Sequence, residues 1–173
     1  IPTAYKMPLL GILVLGGLQG ALGWTMVKSG LVDVPAVSHY LLAAHLSVAF
    51  IIFAALILNA LCLSKEKIEQ FPSRVLFNHG LIVLIFYAFT VCWGAYTAGL
   101  DGGLIYNEFP TMGGDFLPPD LWHLQPWWIN FLENPAGVQF AHRWLAIGLF
   151  VMMGLWWAHA RRHKNTFPFF HLL

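Results

Sequence analysis

The sequence predicts an all-α integral membrane protein with four transmembrane helices, on three observations. The 173 residues are 58% hydrophobic and only 10% charged, with a mean hydropathy of +0.67. A soluble domain of this size has too little polar surface to cover that much apolar material. Four stretches each reach the roughly 20 apolar residues that a helix needs to cross a bilayer. Aromatic residues make up 16% of the chain, including 8 tryptophans and 14 phenylalanines, which suits interfacial belts and a large flat ligand. The lipid bilayer is therefore an expected partner. The net charge of +1 says nothing about nucleic acid, but no basic cluster is interleaved with aromatics on a solvated face, which sets nucleic acid aside as another.

The first span is expected at residues 7–27, directly after Lys6. Its glycines include Gly16, Gly17, Gly20 and Gly23, and Gly16 with Gly20 makes a small-xxx-small face suited to helix packing. The second span, 40–63, carries His45 and ends near Cys62. The third, 75–100, holds Cys92 at depth. The two cysteines form no CxxC, so they read as packing residues rather than a disulfide or a zinc site. Residues 101–137 follow as a loop too rich in glycine and proline for a continuous helix. Within it Trp122, Trp127, Trp128 and Phe131 are expected at headgroup level, with a short interfacial helix at 126–132. A loop of this length and composition reads as functional. The fourth span is 138–160. No secretory signal is visible. The chain opens Ile1-Pro2 without methionine and enters a span almost at once, which reads as part of a longer protein.

Charge orients the spans. Lys6 precedes the first, Lys65, Lys67 and Arg74 surround the second connection, and Arg161, Arg162 and Lys164 follow the last. Asp33, Asp101, Glu108, Asp115, Asp120 and Glu133 lie on the opposite side, where Lys28 and Arg143 are the only cations. The positive-inside rule puts the chain's ends and the Lys65 loop in the cytoplasm or matrix, and the Asp33 and 101–137 loops outside.

The chemistry concentrates in two strings, Ala43-Ala44-His45-Leu46 and Phe140-Ala141-His142-Arg143. Each histidine lies about one and a half turns inside a long apolar segment, where an ionisable group is costly and marks a functional site. Neutral imidazole is a common iron ligand, so the pair points to metal or haem ligation. Ala49 and Ala146 follow four residues on, on the same helix face, and leave room for a porphyrin edge. Arg143, near the outer interface, suits a propionate. For each histidine alone, an interhelical hydrogen bond is the competing explanation. Of the remaining histidines, His39 and His123 share the outer side, His79 begins the third span, and His159, His163 and His171 belong to the basic inner tail. There is no nucleophile–base–acid constellation. The acidic residues sit in loops rather than in an intramembrane relay. Gly102-Gly103 and Gly113-Gly114 are turn signals, not phosphate cradles.

The strings GGLQGALGWTMVKSGL and VSHYLLAAHL closely resemble the haem A synthase family of cytochrome-oxidase assembly enzymes. TAGLDGGLIYNEFPTMGGDFLPPDLW, PWWINFLENPAG and VQFAHRWLA resemble it further, in family order and over nearly the whole chain. The absence of an outer-loop cysteine pair looks like the alphaproteobacterial and mitochondrial branch, and the short first connection looks bacterial. A weak internal echo, Gly23-Trp24 to Gly30-Leu31 against Trp93-Gly94 to Gly99-Leu100, agrees with a protein of two similar halves.

The resemblance implies an eight-helix protein made of two four-helix halves, of which this chain holds the third to sixth helices. Residues 1–63 would end the N-terminal half and 75–173 would begin the C-terminal half, the whole of 1–173 being one membrane region. The family's Glu-x-x-His-Arg helix, with its catalytic carboxylate, and its last histidine helix lie outside this chain, which alone would be an incomplete enzyme. The implied reaction is oxidation of the C8 methyl of haem O to a formyl group, giving haem A. His45 would be an axial ligand of the substrate haem, His142 of a haem b, with Arg143 nearby. Haem O synthase, cytochrome oxidase assembly factors and further copies of the protein are implied as partners, and the bacterial inner membrane, or alternatively the mitochondrial one, as the location. The competing readings are a bis-histidine b-type electron-transfer cytochrome and a non-catalytic transporter or assembly scaffold.

Overall fold

A computed structural model describes residues 3–30, 37–63 and 73–162. Asp33, Lys65, Lys67, Lys164, His163 and His171 lie outside the described residues. The long helices are α1 (Thr3–Gly30), α2 (His39–Leu63), α3 (Arg74–Gly99) and α5 (Pro135–Arg161), with a single turn, α4 (Asn130–Glu133), before the last. All four long helices are long and apolar enough to cross a membrane. The four expected spans are therefore present, and the helices run a few residues beyond most of the expected limits. The exception is the end of α3, where Leu100 caps the helix rather than continuing it.

The helices pack in chain order, α1 on α2, α2 on α3 and α3 on α5. Leu13, Phe53, Leu84 and Phe150 are among the many large apolar side chains that remain exposed. In water such a surface would aggregate; against acyl chains it is the stable arrangement. Interior contacts include buried apolar residues such as Leu76 and Val138, joined by small residues, polar side chains and backbone carbonyls, as expected where lipid is as apolar as leucine.

The α3–α5 interface shows this most clearly. Trp156 Nε1 donates to the Leu76 carbonyl at 3.1 Å, and a Cβ on Gly80 would meet that indole nitrogen at 3.1 Å. A ring reaches a main-chain carbonyl here because the residue four places on carries no side chain. The arrangement recurs about four turns along both antiparallel helices, where His142 Nδ1 lies 3.1 Å from the Thr90 carbonyl and beside Gly94. The small face expected at Gly16 and Gly20 has no neighbour within 4 Å among the described residues.

Residues 101–134 fold over the C-terminal end of α3 and the N-terminal end of α5. Turns of 3-10 helix occupy Gly102–Leu104, Pro119–Trp122 and Trp127–Ile129. The last of these runs into α4, so the expected interfacial segment at 126–132 is helical, built from two short pieces. Two asparagines hold it. Asn130, fully buried, donates to the carbonyls of Leu124 and Trp127 and accepts from Leu124 N. Asn134 caps α5 through Ala136 N at 2.9 Å and donates to the Asp120 carbonyl at 2.7 Å. Pro135 then supplies the first helical position, where no N–H is needed. Trp122, Trp127 and Trp128 are exposed, as an interfacial belt requires.

Candidate functional site

His142 sits two turns into α5 and reaches across to α3. Its imidazole lies against Gly94, where a Cβ would stand 2.9 Å from Cε1. The Thr90 carbonyl is acceptor-only, so Nδ1 must carry the proton that donates to it. In the neutral ring the lone pair is then on Nε2. A backbone carbonyl fixing Nδ1–H is the usual outer-shell support of a metal-binding imidazole.

His45 occupies a matching seat on the other helix pair. Its ring lies against Gly23 of α1, where a Cβ would meet Cε1 at 3.1 Å. Gln19, one turn before Gly23, donates its side-chain amide to His45 Nε2 at 3.1 Å and to the His45 carbonyl at 3.0 Å. The amide assignment follows from the second bond, since a carbonyl accepts only from the NH2 end. Here too Nε2 holds the lone pair, and Nδ1 holds the proton. That Nδ1, and the Oε1 of Gln19, are buried without a hydrogen-bond partner.

As neutral imidazoles both ligand candidates take the same tautomer, and each is laid on a glycine of an earlier long helix. They rest on different helices, α1 for His45 and α3 for His142. The glycines correspond to the sequence echo at Gly23-Trp24 and Trp93-Gly94. The echo coincides with the two seats, whereas Ala49 and Ala146 are not the residues on which the rings rest. Gln19 and Thr90 were missed. For Gln19 the signal was a polar residue four places before Gly23; Thr90 acts through its main-chain carbonyl, which its side chain does not announce.

Arg143 Nη1 donates to the carbonyls of Glu108 at 2.9 Å and Thr111 at 3.2 Å, and Nη2 to that of Tyr106 at 3.3 Å. Three of its five N–H groups therefore hold the outer loop on the end of α5. Gln139 adds a bond to the Tyr106 carbonyl at 2.7 Å. Glu108 closes the loop's turn on the backbone N–H groups of Gly113 and Gly114, both at positive φ, 71° and 87°. Tyr106 donates its hydroxyl to Asp120 at 3.0 Å. Burial, then that hydrogen bond and the nearby Asp120 and Glu108 charges, push its phenol above the ordinary value.

The other histidines have structural surroundings. His39 is buried, its Nε2 stands 3.6 Å from Glu133, and Tyr40 donates to the same carboxylate. Gly99 allows this close approach, since a Cβ there would lie 2.6 Å from that of His39. His123 donates Nδ1 to the Asp120 carbonyl at 2.7 Å. His79 and His159 stand with ring centroids 6.0 Å apart at the opposite end. Among the described residues no group of three His, Cys, Asp or Glu side chains is placed to hold a metal ion.

On the flank of the α3–α5 pair, Phe86, Phe89, Trp93, Phe131 and Trp144 line an apolar cleft of about 420 Å³. Trp93 closes one wall by donating Nε1 to the Phe131 carbonyl at 3.0 Å.

The profile of the family described as "Cytochrome oxidase assembly protein" matches residues 1–172. The chain belongs to that family. A protein of Rhodospirillum centenum named Heme A synthase is 46% identical over 96% of the chain and 45% of its own length. Namesakes from Nitrosospira multiformis and Sinorhizobium medicae are 43% and 46% identical, over 90% and 87% of the chain and 44% and 40% of their own lengths. The chain thus spans somewhat under half the length of these relatives. No solved structure matches it. The family assignment agrees with the resemblance read from the sequence strings, and with a membrane protein built of four long apolar helices.

Proposed function

We propose that this chain is the central part of a haem A synthase, which oxidises the C8 methyl of haem O to the formyl group of haem A. One observation supports the reading above all: two imidazoles inside long apolar helices, each seated on a glycine with Nε2 as the nitrogen that carries the lone pair, free of a supporting bond at His142 and capped by Gln19 at His45. The names of the relatives point to the same chemistry. His142 would hold a haem b, the redox cofactor, and His45 the substrate haem. Each would take its second axial ligand from elsewhere in an eight-helix protein of two four-helix halves, the first ending by residue 63 and the second beginning near residue 75. The haem would supply the redox chemistry; the chain's residues fix ring tautomer and orientation. Thr90 holds the proton on Nδ1 of His142. The apolar helices keep water from the imidazoles, and the loop held by Arg143 covers the outer end.

On this reading the protein lies in a bacterial inner membrane with its 101–137 loop outside. Haem O synthase and cytochrome oxidase assembly factors then sit on either side of it in the reaction order, and further copies of the protein are candidate neighbours. The test is expression of the complete gene product in a bacterium that makes haem O but lacks its own synthase. The reading predicts haem A in the extracted pigments. Bound protohaem without any haem A would instead identify a b-type electron-transfer cytochrome.

A further inference from the structure

The two histidine seats differ in one respect. At His142 the supporting bond is made by Nδ1 to a main-chain carbonyl, so nothing in that bond competes for Nε2. At His45 the supporting bond is made to Nε2 itself, by the Gln19 amide. An imidazole nitrogen has one lone pair, which serves a hydrogen bond or a metal, not both.

We propose that Gln19 is a displaceable cap on the ligating nitrogen of His45, making this the exchangeable haem position and His142 the permanent one. This rests on the reading of His45 as a haem ligand given above. With the cap in place, Gln19 donates to Nε2 and to the His45 carbonyl, which holds the ring against Gly23 in the tautomer that iron requires. When a haem arrives, the amide rotates away. The N–H···Nε2 hydrogen bond breaks, the Nε2 lone pair is donated to iron, and no electron or proton changes hands. When the haem leaves, Gln19 closes on Nε2 again.

The unmet polar atoms at this seat favour such motion. Gln19 Oε1 and His45 Nδ1 are both buried without partners; Nδ1 is unmet with or without the cap, but the capped arrangement also holds the Gln19 oxygen where no donor reaches it. Unsatisfied buried groups raise the energy of the state that contains them. The cap is therefore held weakly enough to be displaced. A position that takes in substrate and gives up product needs this property. A position that retains its cofactor does not, and there the support comes from a backbone that cannot move aside.

The test is hemin binding to the purified complete gene product, followed by Soret absorbance, with a His45→Ala protein as the blank that isolates this position. Gln19→Met keeps the side-chain length without a donor, and Gln19→Ala removes the side chain; haem b retained at His142 reports that both are folded. Removing a competitor with the net worth of one neutral hydrogen bond should tighten hemin binding roughly two- to tenfold and speed its association. Unchanged or weaker binding in the folded Gln19→Met protein overturns the cap and makes Gln19 a plain support of the ring. A wild-type titration identical to the His45→Ala blank overturns the haem assignment of His45, and the cap with it.

Discussion

Replacing Gly94 with alanine tests the seat of His142 directly. The new Cβ would stand 2.9 Å from Cε1, 3.4 Å from Nδ1 and 3.5 Å from Nε2. Carbon atoms in comfortable contact are about 3.5–4.0 Å apart, so the ring must retreat by roughly 0.6 Å or more. Its bond to the Thr90 carbonyl is already 3.1 Å, near the long limit of about 3.2 Å for a good N–H···O bond. The retreat breaks it. The lost bond costs about 1 kcal/mol and the overpacking about 1–3 kcal/mol, while alanine returns up to about 1 kcal/mol through helix propensity. The net destabilisation is therefore about 1–4 kcal/mol. The functional effect should be larger, because a released imidazole loses both tautomer and orientation, and such support is worth roughly 10- to 100-fold in metal affinity. Haem b per protein, measured by pyridine haemochromogen, should drop accordingly in Gly94→Ala. Gly80→Ala is the control: its Cβ would press on Trp156 at 3.1 Å in the same interface, so it should cost similar stability without depleting haem. Equal haem b content in the two variants would refute the seat.

Other outcomes follow from the outer loop. In Gly137→Ala the new Cβ would fall inside the carbonyl of Asn130, a backbone atom that cannot yield, so the protein should fail to accumulate in membranes while Gly103→Ala, which meets nothing within 4 Å, accumulates normally. Arg143→Ala should lower thermal stability by about 2 kcal/mol or more, the scale of hydrogen bonds made by a charged group, and open the 106–111 segment to proteolysis. Arg143→Lys should not restore it, because one ammonium cannot span three carbonyls as a guanidinium fork does. Because the folded state raises the Tyr106 phenol, it binds that proton more tightly than the unfolded chain, so the associated stability is present below pH about 10 and is lost as pH rises through the folded value. The phenolate absorbance that disappears in Tyr106→Phe should therefore titrate above pH about 10; a midpoint below it would contradict the bond to Asp120.

The four spans were legible because membrane helices are selected by length and hydropathy, properties of a single segment. His45 and His142 were legible because a titratable group inside an apolar run stands out from its neighbours. What surrounds them was not. Gln19 reads as one polar residue on a glycine-rich helix until α1 is laid on α2, and Thr90 contributes its carbonyl, which no side-chain pattern encodes. Gly94 reads as one more small residue until the His142 ring lies on it. Arg143 shows the same. Its place beside His142 suggests a propionate, and no sequence pattern shows that the chain's own loop carbonyls also use three of its five donors. His39 and Glu133, far apart in sequence, meet only because Gly99 lets the start of α2 close onto α3.

The central claim is a division of labour between two histidines on separate helix pairs. It is tested most directly by extracting the haems from the complete gene product, expressed with a haem O supply, in wild-type, His45→Ala and His142→Ala forms. The account predicts that His142→Ala loses haem b, whereas His45→Ala keeps haem b and makes no haem A. Loss of one and the same haem from both variants would contradict it, and would mean that the two imidazoles share a single iron.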